Sequence, residues 1–239
     1  MKILGIDSSG LVAGVAVAED DVVLAEYNVN YKKTHSQTLL PMLDEIRQMI
    51  ELDMESIDAI AIASGPGSFT GLRIGSATAK GLGLALGKPL VEVPTLEGLA
   101  YNLCGVKDFV CPLIDARRNQ VYTGIYEFDH NSLKVVEPQS AVDISIIIEK
   151  INGLGATYPG REIVFLGDGV PVYKEQIEKH INIPYYYATA GNNRQRAASV
   201  AVLGAVYYAA GRTVSAAEHQ PEYLRQSQAE RERREKDSL

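Results

Sequence analysis

Cysteine is scarce in this sequence of 239 residues, which contains only Cys104 and Cys111. No closely spaced pair of histidines lies beside them, whereas a structural zinc site needs about four ligands. Disulfides are rare in the cytosol, so we interpret both cysteines as reduced, packed thiols. A chain of this length buries roughly three quarters of its unfolded surface, so it needs neither a disulfide nor a metal to fold.

Long apolar runs are also missing. The most apolar stretch, 71–87, is interrupted by Arg73 and Lys80, whereas a run of about 18 apolar residues is needed to suggest a membrane helix. The first residues lack the basic and then apolar pattern of a secretory signal. The sequence therefore predicts a cytoplasmic protein that has no membrane segment.

Positively charged residues are fewer than negatively charged ones. Lysine and arginine total 23 against 30 aspartates and glutamates, which gives a net charge of −7. This is the wrong sign for a protein whose main task is to bind nucleic acid through phosphates. Apolar residues make up 46% and charged residues 22% of the chain, a balance that indicates a globular protein of one or two domains.

The N-terminal third alternates between strand and helix patterns. Segments 2–7, 12–18 and 22–29 are rich in β-branched and apolar residues and predict an antiparallel meander of three strands. A capping box, with Thr34 as N-cap and Gln37 at the third helical position, predicts the start of a helix. Its apolar face would consist of Leu39, Leu40, Leu43, Ile46 and Ile50.

The remaining elements predict a mixed sheet flanked by helices, which places the chain in the α/β class. The first unit continues with a strand at 59–63, a helix through Leu86, a strand at 90–93 and a helix from Thr95. The second unit would contain strands at 110–114, 121–128, 134–136 and 163–166 and helices from Asp143, at 172–180 and at 194–210. Because both units follow the same order of elements, we expect two related halves.

The first predicted strand ends in the DSSG motif at 7–10. In folds of the actin, sugar-kinase and Hsp70 type, such a turn brings backbone N–H groups to a phosphate while the acid positions Mg²⁺. A plain hairpin turn is the alternative interpretation.

The matching turn of the second half, 114–119, carries Arg117 and Arg118. Bulky side chains there block a close approach of the backbone to a phosphate, although they could attract an anion or pair with acids. Only a short GDG motif at 167–169 remains for the adenine side, so the pattern argues against ATP hydrolysis.

His35 is the next candidate for chemistry. A metal site on a helix favours a second ligand four positions later, and that position holds Leu39, with Thr38 at three positions. The other histidines stand far away in the sequence. A locally hydrogen-bonded histidine at a helix start is therefore a better interpretation than a metal ligand.

The loop and helix at 65–87 lack the Lys-Ser/Thr ending of a Walker loop, and Ser68 or Thr70 would cap the helix. Small residues recur at every fourth position: Gly71, Gly75, Ala79, Gly83 and Gly87. Each interior glycine costs about 1 kcal/mol against alanine, so the stripe needs an offsetting contact. A partner protein or the chain's own helix at 34–51 could supply that contact, and the pattern does not decide between them.

Five segments of the chain resemble those of the TsaB family, also called YeaZ. They read ILGIDSS at 3–9, THSQTLLP at 34–41, GPGSFTGLRIG within 64–85, IDARRNQVY at 114–122 and PEYLR at 221–225. The segments extend over nearly the whole chain before the charged tail, and GPGSFTGLRIG is highly specific.

The resemblance implies an actin/Hsp70-like fold of two ribonuclease-H-like lobes. It also implies a non-catalytic paralogue of TsaD, the subunit that carries a metal-binding His-x₃-His and transfers a threonylcarbamoyl group to adenosine 37 of tRNAs that read ANN codons. Proteins of this family hold and activate TsaD, work with the small ATPase TsaE, and in some cases form homodimers through the same surface. No catalytic residue, cofactor or metal is then expected on this chain, and its contact with tRNA would be indirect. Leu39 stands at the place of the second metal histidine.

On this basis we expect a partner-binding N-terminal lobe at 1–104, a C-terminal lobe at 105–228 and a disordered charged tail at 229–239. Helices of the first lobe at 34–51 and 70–86 would form the interface. The predicted interface residues are His35, Leu39, Met42, Leu43, Gly71, Leu72, Ile74, Gly75, Thr78, Ala79 and Leu82.

Two alternatives remain open from the residues alone. The DSSG motif and His35 would suit an ATP phosphotransferase of the same fold or a metal-dependent, glycoprotease-like hydrolase that acts without a partner. The arginines of the tail at 229–239 could instead contact tRNA directly.

Overall fold

The computed structural model describes residues 1–31 and 35–225. Its first sheet has the strand order β3-β2-β1-β4-β5. The strands are β1 (Lys2–Asp7), β2 (Val12–Glu19), β3 (Val22–Asn30), β4 (Ala59–Gly65) and β5 (Leu90–Pro94). β1 pairs antiparallel with β2 and parallel with β4, so the predicted meander is confirmed. The helices of this part are α1 (Leu39–Met49), α2 (Phe69–Leu86) and α3 (Thr95–Ala100).

The second sheet repeats this topology in the order β10-β9-β6-β7-β8. Its strands are β6 (Phe109–Asp115), β7 (Gln120–Asp129), β8 (Ser132–Asp143), β9 (Ile163–Leu166) and β10 (Tyr185–Tyr187), and its helices are α4 (Ile144–Thr157) and α5 (Gly169–His180). β6 pairs antiparallel with β7 and parallel with β9, as β1 does with β2 and β4. The expected pair of related halves is therefore confirmed, and the fold is of the actin/Hsp70 type with two ribonuclease-H-like lobes.

The first sheet is covered on both faces. Alternating side chains, such as Leu4 and Ile60, pack beneath α1 and α2, whereas Ile3 and Ala61 pack beneath the last helix, α6 (Ala197–Ala209). A Cβ atom on Gly5 would clash with the backbone of α6. α6 was expected within the lobe at 105–228 and packs on the first sheet instead. The division at residue 104 otherwise stays a prediction.

The structure begins α1 at Leu39, later than the capping box predicts. His35–Gln37 form a single 3₁₀ turn instead. Pro41 has no N–H to donate, so it is tolerated in the first turn of a helix and not in its interior. The predicted cap at Thr34 and the tail at 229–239 lie outside the described residues.

Candidate functional site

The turn after β1 is closed by its own residues. Asp7 is buried, and its Oδ1 accepts hydrogen bonds from the Ser9 amide (2.8 Å) and the Ser9 hydroxyl (2.7 Å). Burial raises the pKa of Asp7, because desolvation disfavours the carboxylate more than the bonds from Ser9 favour it. The Ser8 hydroxyl donates to the Gly71 carbonyl at 2.8 Å.

The loop between β4 and α2 covers this turn from outside. The Ser68 amide donates to the Ser9 carbonyl at 2.7 Å, and a Cβ on Gly67 or Gly71 would collide with the backbone oxygen of Ser9 or Ser8. His35 Nε2 donates to the Gly10 carbonyl at 2.8 Å. The His35 side chain thus bonds to the turn, whereas the His35 carbonyl accepts from Thr38 beside it in the chain.

The turn after β6 has a different construction. Arg117, Arg118 and Asn119 adopt φ values of 65°, 57° and 60°, the left-handed region that L-residues other than asparagine and aspartate rarely visit. The Arg117 amide donates to Asp115 Oδ1 at 2.8 Å, and Asp168 Oδ1 accepts from the Asp115 amide at 3.1 Å. Both arginine side chains are exposed, and burial raises the pKa of Asp168.

Metal-binding groups do not assemble in the part of the chain that is described. Across 1–31 and 35–225, no three His, Cys, Asp or Glu side chains come together in a way that could hold a metal ion. Over the same residues, no helix has the length and apolarity that a bilayer crossing requires.

α2 begins and ends at conventional caps. The Ser68 hydroxyl accepts a bond from the Gly71 amide at 3.3 Å, which confirms one of the two predicted caps. Gly87 follows the helix with φ 64°, the left-handed conformation that favours glycine at this position.

The small-residue stripe of α2 faces into the protein. Gly71, Gly75, Ala79 and Gly83 are all buried. A Cβ on Gly75 would lie too close to the Ser8 hydroxyl and 3.2 Å from Cδ1 of Ile62 on β4. The stripe therefore lets α2 approach the first turn and the sheet, and Ala79 also packs in the cluster that contains Leu39 and Leu43 of α1. Of the two neighbours that the sequence left open, the structure supplies the intramolecular one. Periodicity shows that a stripe needs a close neighbour, and it does not show which neighbour.

The opposite face of α2 is exposed. Ala77, Gly81 and Leu84 point to solvent, with Leu84 67% exposed, and among the described residues no atom lies within 4 Å of a Cβ built on Gly81. On α1, Leu40 and Met49 are 53% and 82% exposed, and they lie about 180° apart around that helix. We call Ala77, Gly81 and Leu84, together with the flanking, half-buried Ile74, Thr78 and Leu82, the α2 outer face.

The predicted interface residues divide into two groups. Seven are buried in the protomer: Leu39, Met42, Leu43, Gly71, Leu72, Gly75 and Ala79. Four are half-buried: His35, Ile74, Thr78 and Leu82. Only the last three belong to the outer face. The exposed Ala77, Gly81 and Leu84 are not among the predicted residues, and a helical wheel places them opposite the stripe.

Comparison with known proteins agrees with this fold. A family model described as TsaD, tRNA N6-adenosine threonylcarbamoyltransferase, matches residues 23–233. The tRNA threonylcarbamoyladenosine biosynthesis protein TsaB of Bacillus subtilis (strain 168) is 34% identical over 230 residues, which cover 96% of each chain. TsaB of Escherichia coli (strain K12) is 35% identical over 144 residues, 59% of this chain and 62% of that protein. YeaZ from Pseudomonas aeruginosa superposes with a TM-score of 0.78 at 25% identity, covering 93% of this chain and 99% of that one.

The fold and the first turn define a two-lobed protein of the actin/Hsp70 type in which the buried Asp7 takes its hydrogen bonds from Ser9 of its own turn. The chain belongs to the TsaB (YeaZ) family of tRNA threonylcarbamoyladenosine biosynthesis proteins.

Proposed function

We propose that this chain is a non-catalytic subunit that binds and activates TsaD, in the complex that forms N6-threonylcarbamoyladenosine at position 37 of tRNAs reading ANN codons. The observation that carries the proposal is the α2 outer face. It combines exposed apolar side chains, Leu84 above all, with small residues at Ala77 and Gly81. Small residues allow the backbone of a second helix to come close, and buried apolar area contributes about 25 cal/mol per Å².

The first turn supports a non-catalytic role. Asp7 takes its hydrogen bonds from Ser9, so the Ser9 amide, one of the N–H groups that would face a phosphate in such a turn, is already engaged. The loop before α2 also packs on the turn through the Ser68 amide. These contacts favour a binding subunit over an ATP phosphotransferase that acts alone.

The choice of partner rests on shared architecture. The TsaD family model matches residues 23–233 of this chain, which include both α1 and α2, so the two proteins would present related helices to each other. A homodimer through the outer face would compete with TsaD. TsaE and tRNA would meet this chain through TsaD, consistent with its net charge of −7.

A charged side chain in the middle of the outer face tests the proposal. Gly81→Arg should weaken the binding of purified TsaD by about 30-fold or more, because it places an unpaired charge among apolar contacts. Gly153→Arg is the matched control, since Gly153 is another exposed helical glycine with open space around its Cβ in the described structure.

Calorimetric titration of each variant with TsaD gives the two dissociation constants. Circular dichroism first establishes that both variants are folded. An unchanged dissociation constant for Gly81→Arg would refute the docking surface, and ATP turnover by the isolated chain, lost in Asp7→Ala, would refute the non-catalytic role.

A further inference from the structure

A segment near the C-terminus, residues 214–225, connects the two lobes, and we call it the brace. It starts on the edge of the first sheet, where Leu90 and Val214 exchange two backbone hydrogen bonds of 2.9 Å. Ala216 is buried in the core beneath α2, and a Cβ on Gly83 would lie 3.0 Å from the Ala216 Cβ. The last small residue of the α2 stripe therefore makes room for the brace.

Charged groups of the first lobe hold the middle of the brace. Lys80 of α2 donates from Nζ to the carbonyls of Ala217 (3.1 Å) and His219 (2.9 Å). The His219 ring is 1% exposed, and its Nδ1 lies 2.6 Å from Oε1 of Glu92 on β5. Hydrogen bonds to charged groups are stronger than those between neutral groups, so this part of the brace is firmly attached.

The brace then crosses the N-terminus of α2. The Glu222 amide donates to the Ser64 carbonyl at 2.7 Å, and the Glu222 carbonyl lies so close to Gly65, at φ 128°, that a side chain would not fit there. The rings of Tyr223 and Phe69 stack with centroids 4.6 Å apart and an angle of 6°. The loop that closes the first turn is thus itself held by the brace.

The last residues of the brace contact the second lobe. Gln139 of β8 donates from Nε2 to Glu222 Oε2 at 2.8 Å. Leu224 packs against the apolar cluster that includes Ile114, and the Arg225 guanidinium donates to the Ala116 carbonyl. The same twelve-residue segment therefore ties α2 to the turn after β6.

Three of the sequence motifs that the docking surface leaves unexplained meet at the brace: the PEYLR motif, the start of GPGSFTGLRIG and the IDARR turn.

We infer that the brace fixes the second lobe relative to α2, and that TsaD binding at the outer face depends on the brace being docked. The inference rests on the proposed function. The brace contacts the inner side and the N-terminus of α2, so it leaves the outer face free and keeps the helix in one position. A preorganised surface binds more tightly, because less freedom is lost on association.

Two substitutions at the contact between the brace and the second lobe release the end of the brace without touching α2. In Gln139→Ala/Arg225→Ala, hydrogen exchange of the full chain should become at least about tenfold faster at 116–120 and 222–225, because both hydrogen bonds between the brace and the second lobe are gone. The affinity for TsaD should fall about three- to tenfold. Asn152→Ala is the control, since Asn152 also belongs to the second lobe and donates to the His180 carbonyl, outside the brace and outside 116–120.

Hydrogen exchange and calorimetric titration together decide the outcome. Unchanged exchange at 116–120 would show that the brace does not hold the lobes together. Faster exchange with an unchanged dissociation constant for TsaD would show that docking is independent of the brace, and either result overturns the inference. Tyr223→Phe keeps the stacked ring and loses only the exposed 3.4 Å bond from Arg73 Nε, so its exchange should stay within about twofold of the wild type. Tyr223→Ala should instead repeat the exchange effect at 64–71. Failure of the docking proposal itself is recognised separately, by unchanged binding in Gly81→Arg.

Discussion

The turn after β1 and the turn after β6 occupy the same place in the two lobes, and each is built in its own way. The first is packed: Asp7 is buried and the loop before α2 lies on the turn. The second is open: Arg117 and Arg118 extend into solvent from three successive left-handed residues. The two turns have the same place in the topology and different surroundings. The first is packed against other parts of the chain, whereas the second is shaped by the left-handed backbone of its own three residues.

The largest effect is expected where the packing of the first turn is broken. Gly71→Ala should lower the free energy of unfolding by about 3 kcal/mol, because the new methyl group overlaps the Ser8 carbonyl and neither backbone can move freely. Gly81→Ala, on the exposed side of the same helix, should raise it by about 0.5–1 kcal/mol through helix propensity. Urea denaturation measures both, and similar effects of the two substitutions would contradict the inward orientation of the stripe.

A smaller effect is expected from the buried acid. Because burial raises the pKa of Asp7, the folded state binds its proton more tightly than the unfolded state does. The free energy of unfolding then falls as pH rises from the ordinary value of 3.8 through the folded pKa. Asp7→Asn removes this ionisation and should raise the free energy of unfolding at pH 7, since the amide oxygen can accept the same bonds from Ser9.

Urea denaturation of wild type and Asp7→Asn at several pH values checks the sign. The difference between them should shrink as the pH falls towards 3.8 and below, where Asp7 is protonated in both the folded and the unfolded state. A stabilisation that does not vary with pH would show that the ionisation of Asp7 is not its cause.

The smallest effect is expected in the second turn. Arg118→Gly should raise the free energy of unfolding by about 0.5–1 kcal/mol, because glycine adopts φ 57° without strain. Arg47→Gly is the control within α1, where the same substitution should destabilise the helix and removes a pairing with Asp44. Thermal unfolding compares the two variants, and destabilisation by both would show that the left-handed turn carries no strain at Arg118.

Local patterns predicted much of the fold. Strand alternation and turn residues gave the meander, Ser68 marked the start of α2, and the repeated order of elements revealed the two halves. The start of α1 was predicted too early, because Pro41 is tolerated in the first turn of a helix and not in the interior where the capping box would place it. Strand β10 (Tyr185–Tyr187) was missed because three residues are too few to show the alternation of a strand.

The candidate site was predicted less well. The stripe of α2 was recognised, but its neighbour, the Ser8 hydroxyl, comes from a turn more than sixty positions away along the chain. α6 is apolar on nearly all sides, so its sequence does not show which sheet it covers. The brace has no periodic pattern, and its role depends on contacts with both lobes that only the three-dimensional structure brings together.

The position of α6 also constrains how the chain folds during synthesis. Domains generally fold as units, beginning with the N-terminal one as it leaves the ribosome. Here one apolar face of the first sheet, which includes Ile3 and Ala61, is covered by α6, a helix that ends at Ala209. The strands that are made first therefore stay open to water on that face until residues 197–209 have also been made.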